Sequence, residues 1–364
     1  ICNDGGYQAF FVGGCVRNDQ LGFEVDDIDI ATDATPVQVL HLAQNEGLQF
    51  LTTGIDHGTI TLILDNQSFE LTTFRKDIST NGRHADVTFL GNIEEDAQRR
   101  DFTMNALYAD KNGVICDPLN GLTDLHEKRV RFIGNANIRI KEDYLRILRF
   151  FRFSAWYSNP GFGFDPDTLD AIAQNLQGLK NLSKERISME FIKLLAAPNP
   201  APSVTTMQKT GVLRNIIAGA NDRLLPVLVE YEKTWDINPN PVRRLAAIGG
   251  PKLQENLRLK NQDVQELKKL QHHMSSNVQA HELGYRLGKN IALSVLLLRA
   301  TIFEKKISQT DLELITTGSK AKFPVNGNDL IGAYEGAALG RKLKQLEAKW
   351  ISSKFTMNKQ DLLY

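Results

Sequence analysis

Phe10–Thr32 reads FFVGGCVRNDQLGFEVDDIDIAT, and the rest of the chain is organised around it. The apolar run Phe10-Phe11-Val12 ends abruptly at Gly13-Gly14. A strand that stops at a glycine pair and restarts as a helix offers bare backbone N–H groups, positive end first, to a phosphate. Arg17 adds a planar guanidinium at the same turn. A second short strand follows, with Asp27 and Asp29 two residues apart. Strand side chains alternate faces, so both carboxylates point one way while Ile28 and Ile30 point into the core. Two carboxylates beside a phosphate cradle suit divalent metal ions. Alone, an Asp-rich strand end is as readily a solvated one; the glycine turn in front of it favours chemistry.

Outward from this stretch, 364 residues are too many for one ordinary core and predict two or more domains. Lys plus Arg equals Asp plus Glu at 43 each, so any nucleic-acid surface is a local patch rather than a global field. Three cysteines without metal-type spacing fit a reducing compartment and argue against a disulfide framework. No apolar run approaches the roughly 20 residues that span a bilayer, so no membrane partner is expected. The chain opens at Ile1 close to its first strand, which points to a missing N-terminus. The expected location is cytoplasmic, with an organelle left open.

Thr35-Pro36 is a helix start, threonine as cap and proline in the first turn, with Gly47 as its stop. Leu48–Thr52, Thr59–Leu64 and Ser68–Phe74 read as strands of a small, mostly antiparallel sheet. Glu70 on the third of them is the candidate third carboxylate of the metal site, or else an exposed charge on a wet face. The segment from Arg75 and Asp77 to Arg83 and Asp86 is charged and poor in apolar anchors, which predicts a mobile loop; a solvated hairpin is the alternative. Ile93 opens a helix with an acidic first turn, expected to run through Arg100, Asp101 and Asn105. On one helix Asp101 and Asn105, four apart, share a face beside Arg100. Leu107–Ala109 and Val114–Cys116 predict a hairpin around Asn112-Gly113, and Asp117 a helix cap.

Beyond Gly134 the apolar period becomes helical and strands cease. One helix is expected over Glu142–Phe150, projecting Asp143 and Arg146 from one face. Taken alone, such a pair reads as a surface ion pair. Arg149 and Arg152 face phosphates or acidic partners. Arg186 and Glu190 form an i,i+4 pair on a later helix, read as architectural. His272 and His273 are adjacent and cannot share a helix face, which speaks against a metal site. Lys342 and Lys344 belong to a basic, acid-poor tail, either an RNA-backbone grip or a solvated face.

GGCVRN followed by DID resembles motif A of the class II tRNA nucleotidyltransferases, the CCA-adding enzymes and bacterial poly(A) polymerases, within the DNA polymerase β superfamily. RRDFTMNA is similar to motif B, DPLNG to motif C, EDYLR to motif D and the Glu185–Phe191 stretch to motif E, in family order over roughly Phe10–Leu195. Many members have Asp where Asn18 stands. The resemblance implies an α+β protein: a nucleotidyltransferase palm over 1–136, then an all-α neck over 137–198, body over 199–288 and tail over 289–364. It implies that Asp27 and Asp29, with Glu70, bind Mg2+. It implies that Gly13, Gly14, Arg17 and Arg100 receive the triphosphate, and that Asp101 and Asn105 read the ribose. Asp143 and Arg146 would select the base, and Arg149 belongs to the nucleotide site beside them. Cytosine and adenine each offer an exocyclic N–H donor beside a ring acceptor, which a carboxylate and a guanidinium can pair; uracil and guanine present the opposite polarity.

The reaction implied is template-independent addition of C, C and A to a tRNA 3′ end from CTP and ATP. The Arg75–Asp86 loop resembles the one that family members need to switch from CTP to ATP, and its length favours CCA over CC addition. Gly54–Thr59 resembles the CCA-adding branch more than the poly(A) polymerases. A poly(A) polymerase, a CC-adding enzyme and a non-catalytic RNA-binding module remain the alternatives, and oligomeric state is left open.

Overall fold

The computed structural model describes residues 1–81, 84–89, 91–159, 161 and 163–364, with backbone alone over 76–81 and 84–88. The chain divides into two compact units, Ile1–Ile216 and Ile217–Tyr364.

In the first unit, β-branched and aromatic runs separated by glycine and Asp-Asn turns build a seven-stranded sheet. Its strands are β1 (Ala9–Val12), β2 (Ile28–Thr32), β3 (Gln49–Leu51), β4 (Thr59–Leu64), β5 (Gln67–Thr73), β8 (Tyr108–Ala109) and β9 (Ile115–Cys116), in the order β3-β4-β5-β2-β1-β8-β9. All pairings are antiparallel except β2 with β5, whose parallel register sets Asp29 opposite Glu70. Paired parallel residues face the same way, so the register brings the two carboxylates to one side. α1 (Gly14–Gln20) follows β1, and α2 (Pro36–Asn45) starts at the expected Thr35 cap, which Gln38 completes into a capping box. Ile30, Leu71 and Ile60 pack under α2 around Val39 and Ala43. All three cysteines are free.

Three sequence expectations change. The charged segment after β5 takes strand form in its described backbone: β6 (Lys76–Asn81) pairs with β7 (His84–Thr88), with a register irregularity between Asp77 and Ser79. This is the hairpin alternative, and its backbone hydrogen bonds substitute for the missing apolar anchors. Arg83 lies outside the described residues. Arg75 stands at the hairpin base and donates through Nη1 to the His57 carbonyl.

The helix that opens at Ile93 ends early: α3 is Ile93–Arg99, and Arg100 is extended. Phe102 is wholly buried and pairs in a bridge with Phe132, which demands extended backbone. Arg139 caps the exposed end of α3, donating through Nη2 to the carbonyls of Arg99 and Arg100 at 2.5 Å each. Asn105 then falls in a separate 3-10 turn, Thr103–Asn105. Downstream, α4 (Gly121–His126) is capped by Asp117, which accepts from the N–H groups of Gly121 and Leu122 at 2.7 and 2.8 Å.

The expected single helix over Glu142–Phe150 is two: α5 (Ala136–Glu142) and α6 (Leu145–Tyr157), broken at Asp143. Asp143 has φ −151°, its Oδ1 accepts from Leu145 N–H at 3.1 Å, and its carbonyl accepts from Arg146 N–H. It satisfies the first turn of α6 as a cap rather than projecting from it. α7 (Pro166–Gln174) and α8 (Lys184–Leu195) complete the neighbourhood of the site, α8 lying along α6.

Among its described residues the second unit has helices and no strand. Helices Ala280–Leu287 and Gln309–Lys320 cross at paired glycines: a Cβ on Gly284 would stand 2.2 Å from Ile315 O, and one on Gly318 2.0 Å from His281 O. Only bare backbone fits that crossing. Helices Leu225–Thr234 and Pro241–Ile248 share a buried ionic triad in which Glu232 accepts from Arg243 Nη2 at 2.6 Å and Arg244 Nη2 at 2.7 Å. No helix among the described residues is long and apolar enough to cross a membrane.

Candidate active site

Gly13 ends β1 at φ +75°, a left-handed conformation that side chains resist, and its N–H donates to Leu107 O at 3.0 Å. Next to it, Arg17 is buried, and its hydrogen-bond partners are neutral. Nη1 donates to Asn105 Oδ1 at 2.5 Å and Nη2 to the Tyr157 hydroxyl at 2.9 Å. Nε and Nη2 both donate to Asn18 Oδ1, at 3.2 and 2.8 Å. Its guanidinium lies over the Tyr157 ring at 4.3 Å. Burial pushes this arginine below its usual range. A buried arginine without a carboxylate contact is positive charge held ready for an anion. Asn18, a departure from the usual Asp, thus braces Arg17 as an acceptor.

Arg100 is aimed by Asp96. Arg100 Nη2 meets Asp96 Oδ2 at 2.8 Å, Arg99 Nη2 meets Oδ1 at 2.7 Å, and the Tyr108 hydroxyl donates to Oδ2 at 2.7 Å. Burial works against the Asp96 charge, but Arg100, Arg99 and Tyr108 outweigh it and hold the acid at about 2. A Cβ at Gly13 would stand 3.4 Å from Arg100 Nη1, so that nitrogen sits against the glycine turn.

Although they share no helix, Asp101 and Asn105 do meet: Asn105 Nδ2 donates to Asp101 Oδ1 at 2.9 Å. Arg149 Nη2 sits 2.6 Å from Asp101 Oδ2. Against burial, Arg149 first and the Asn105 and Phe102 donors after it hold Asp101 at about 2.

Asp143 Oδ2 accepts from Arg186 Nη2 at 2.7 Å. Arg186 was expected to pair with Glu190, but Glu190 bonds Arg152 Nε at 2.6 Å and lies 3.8 Å from Arg149 Nη1. Arg146 donates through Nη1 to Glu142 and, at 2.8 Å, to Arg139 O. Asp143 and Arg146 are therefore fixed by separate partners, not by each other.

These groups converge on one pocket of about 490 Å³. Gly13, Gly14 and Asp29 enter it from the sheet, Arg100, Asp101 and Asn105 from the segment after α3, and Asp143, Arg146, Arg149 and Arg186 from the helices. Arg17, Leu145 and Phe153 complete the wall. Five arginines against three aspartates leave the lining net positive. Asp27 and Glu70 are exposed and lie outside this lining, although Asp27 acts on Asp29, and the charges of Asp27 and Asp29 both act on Glu70. Burial pushes the Asp29 acid up against the pull of Arg100, and Asp27 adds to it; burial, then Asp29 and Asp27, push Glu70 up. A larger cavity of about 730 Å³, beside Asn135 and Asp165, holds none of the expected site residues.

Residues 9–131 match the family model of the Poly A polymerase head domain, and residues 161–224 that of the probable RNA and SrmB-binding site of polymerase A. Over 387 residues the chain is 34% identical to CCA tRNA nucleotidyltransferase 1, mitochondrial, of Homo sapiens, covering 98% of this chain and 86% of that protein. The chain belongs to the CCA tRNA nucleotidyltransferase family. A CCA-adding enzyme of Geobacillus thermodenitrificans is 40% identical over 212 residues, 58% of this chain and 51% of that one. The Bacillus stearothermophilus CCA-adding enzyme, solved in complex with CTP, matches with a TM-score of 0.78 at 29% identity, over 97% of this chain and 90% of that one.

In this CCA tRNA nucleotidyltransferase family member, Lys342 and Lys344 lie in the second unit, on helix Gly336–Ser352; Lys344 is exposed and Lys342 stands 5.7 Å from the centre of the Tyr334 ring. Sequence reasoning did not find Asp96, Tyr157 or the pocket role of Arg186. The i+3 and i+4 spacing of Arg99 and Arg100 after Asp96 was a usable signal. Tyr157 and Arg186 had none, since their partners lie 140 and 43 residues away.

Proposed function

We propose that this chain adds C, C and A to the 3′ end of tRNA, taking CTP and ATP and releasing pyrophosphate. The observation that carries this assignment is the single net-positive pocket with Asp29 in one wall and Asp143 with Arg146 in another. Phosphoryl transfer needs positioning and charge stabilisation more than covalent help from the protein.

The acidic strand ends fit Mg2+. Asp27, Asp29 and Glu70 repel one another and Asp29 lacks a compensating ion pair among the described residues, the condition that a hard divalent cation relieves. Among the described residues no three His, Cys, Asp or Glu side chains close on one point. The protein thus offers one or two carboxylates, which suits an ion that completes its shell with substrate phosphates and water. When bound, magnesium supplies activation of the attacking hydroxyl and stabilisation of the leaving oxygen.

The chain's own residues do the rest. The Gly13-Gly14 turn and Arg100 receive the triphosphate, and Arg17 supplies buried positive charge behind them. Asn105, with one Nδ2 hydrogen on Asp101, keeps a second for the ribose. Asp143 accepts from the exocyclic amine of cytosine or adenine while Arg146 donates to the ring nitrogen beside it. The tRNA 3′-oxygen bonds to the α-phosphorus, the bond to the bridging oxygen breaks, and pyrophosphate leaves with that electron pair. The segment that contains Arg75, Asp77 and Arg83 serves the change from CTP to ATP, and Lys342 and Lys344 hold the tRNA backbone. Domain limits at 136, 198 and 288 belong to the same proposal. The cytoplasm is the proposed compartment; the human relative's name is mitochondrial, and fractionation of the native protein decides.

Incubating the protein with Mg2+, all four nucleotides and a tRNA lacking its CCA end tests the assignment. Two cytidines and one adenosine, then arrest, support it. An oligo(A) tail would make the chain a poly(A) polymerase, arrest after two cytidines a CC-adding enzyme, and a mobility shift without extension a binder.

A further inference from the structure

We propose that Tyr157, outside the pocket, is a positioning residue for sugar selection: it fixes Arg17, and through Arg17 the Asn105 amide that faces the ribose. This rests on Asn105 as ribose reader, given above.

An amide side chain can point its oxygen or its nitrogen either way, and what discriminates ribose is which of the two meets the hydroxyl. Here the choice is forced. Arg17 has donors only and Asp101, ionised, acceptors only. Asn105 Oδ1 therefore faces Arg17 at 2.5 Å, Nδ2 faces Asp101 at 2.9 Å, and one N–H remains for a ligand. Asp101 is anchored by Arg149 and by Phe102 N–H at 2.9 Å. The movable end of the relay is Arg17, which has no carboxylate to hold it.

Tyr157, the last residue of α6, supplies that hold twice. Its hydroxyl accepts from Arg17 Nη2 at 2.9 Å, and its ring lies 4.3 Å from the guanidinium carbon. The same hydroxyl donates to Asn18 Oδ1 at 3.3 Å, so two of the three acceptors of Arg17 are themselves tied together. Phe153 at 5.6 Å and Phe23 at 6.2 Å flank the tyrosine ring and limit its rotation. Tyr157 does not line the pocket, and its hydrogen-bonded link to the ribose reader runs through Arg17.

The test compares wild type, Tyr157→Phe, Tyr157→Leu and Asn105→Ala in single additions with CTP and 2′-deoxy-CTP. The expected result is a fall in ribose preference of about tenfold in Tyr157→Leu, the size of one misaligned hydrogen bond, with Tyr157→Phe between it and wild type. KM for CTP rises in the same order while kcat stays within about twofold. A purely structural role would lower active fraction without moving the preference. A Tyr157→Leu protein with wild-type circular dichroism and wild-type preference overturns the inference. Should Tyr157→Leu fail to fold, an unchanged preference in Tyr157→Phe overturns it. Full preference in Asn105→Ala defeats the ribose-reader assignment and this inference with it; lost preference there but not at Tyr157 defeats this inference alone.

Discussion

Arg186→Ala separates base selection from transfer chemistry. In the wild type, Arg186 Nη2 holds Asp143 Oδ2 at 2.7 Å, with the two side chains only 23% and 19% exposed. A charge-assisted hydrogen bond in such a half-buried position is worth about 1.5–3 kcal/mol. Leu145 N–H still holds the other oxygen at 3.1 Å, so the carboxylate rotates rather than leaves, which points to the lower end of that range. At about 1.4 kcal/mol per factor of ten, CTP selectivity over UTP falls by roughly tenfold. The assay is single-turnover extension of a tRNA lacking CCA, with CTP or UTP alone, read as the ratio of kcat/KM values. Glu190→Gln is the informative control. Were Arg186 and Glu190 a helical pair, both variants would behave alike; with Glu190 bonded to Arg152 instead, its variant keeps CTP selectivity. Unchanged selectivity in a folded Arg186→Ala protein refutes the argument.

Other outcomes follow from the same geometry. Asp29→Asn abolishes transfer and removes any Mg2+-dependent rise in melting temperature, while leaving the metal-free protein as stable or more so, because the repulsion with Asp27 and Glu70 is gone; scanning fluorimetry with Mg2+ or chelator reads both. Asp96 and Asp101 are held at about 2, below their unfolded value of 3.8. Their contribution is therefore full above about pH 4 and is lost as pH falls toward 2, on the order of 2 kcal/mol each; Asp96→Asn flattens the acid limb of denaturant midpoint against pH. In the second unit, Glu232→Ala deprives two buried arginines of their shared carboxylate and costs about 3–5 kcal/mol in urea unfolding.

Local patterns carried the sheet well. The Thr35 cap, the β-branched strands and the Asn112-Gly113 turn are settled by near neighbours, and each formed within a residue or two of its expected limits. What a single helical period missed are the breaks at Arg100 and Asp143. The first depends on distant partners: Phe132 draws Phe102 into extended backbone, and Arg139 caps carbonyls 40 and 39 residues upstream. The second is made locally, by the Asp143 carboxylate accepting from Leu145 N–H, a competition a helical period does not register. The same limit explains the Arg186–Glu190 pairing. An i,i+4 spacing makes a pair available, but Arg152, Arg149 and Asp143 compete for it only once α6 and α8 lie together. The identities of the pocket residues were legible because they are motif residues; which carboxylate neutralises which arginine was not.

A structure of the protein with CTP and Mg2+ tests most directly whether one pocket both selects and transfers. The prediction is cytosine against Asp143 and Arg146, the triphosphate along Gly13-Gly14 and Arg100, and the metal on Asp29. Nucleotide density in the larger cavity beside Asp165, or a base turned away from Asp143, would contradict it.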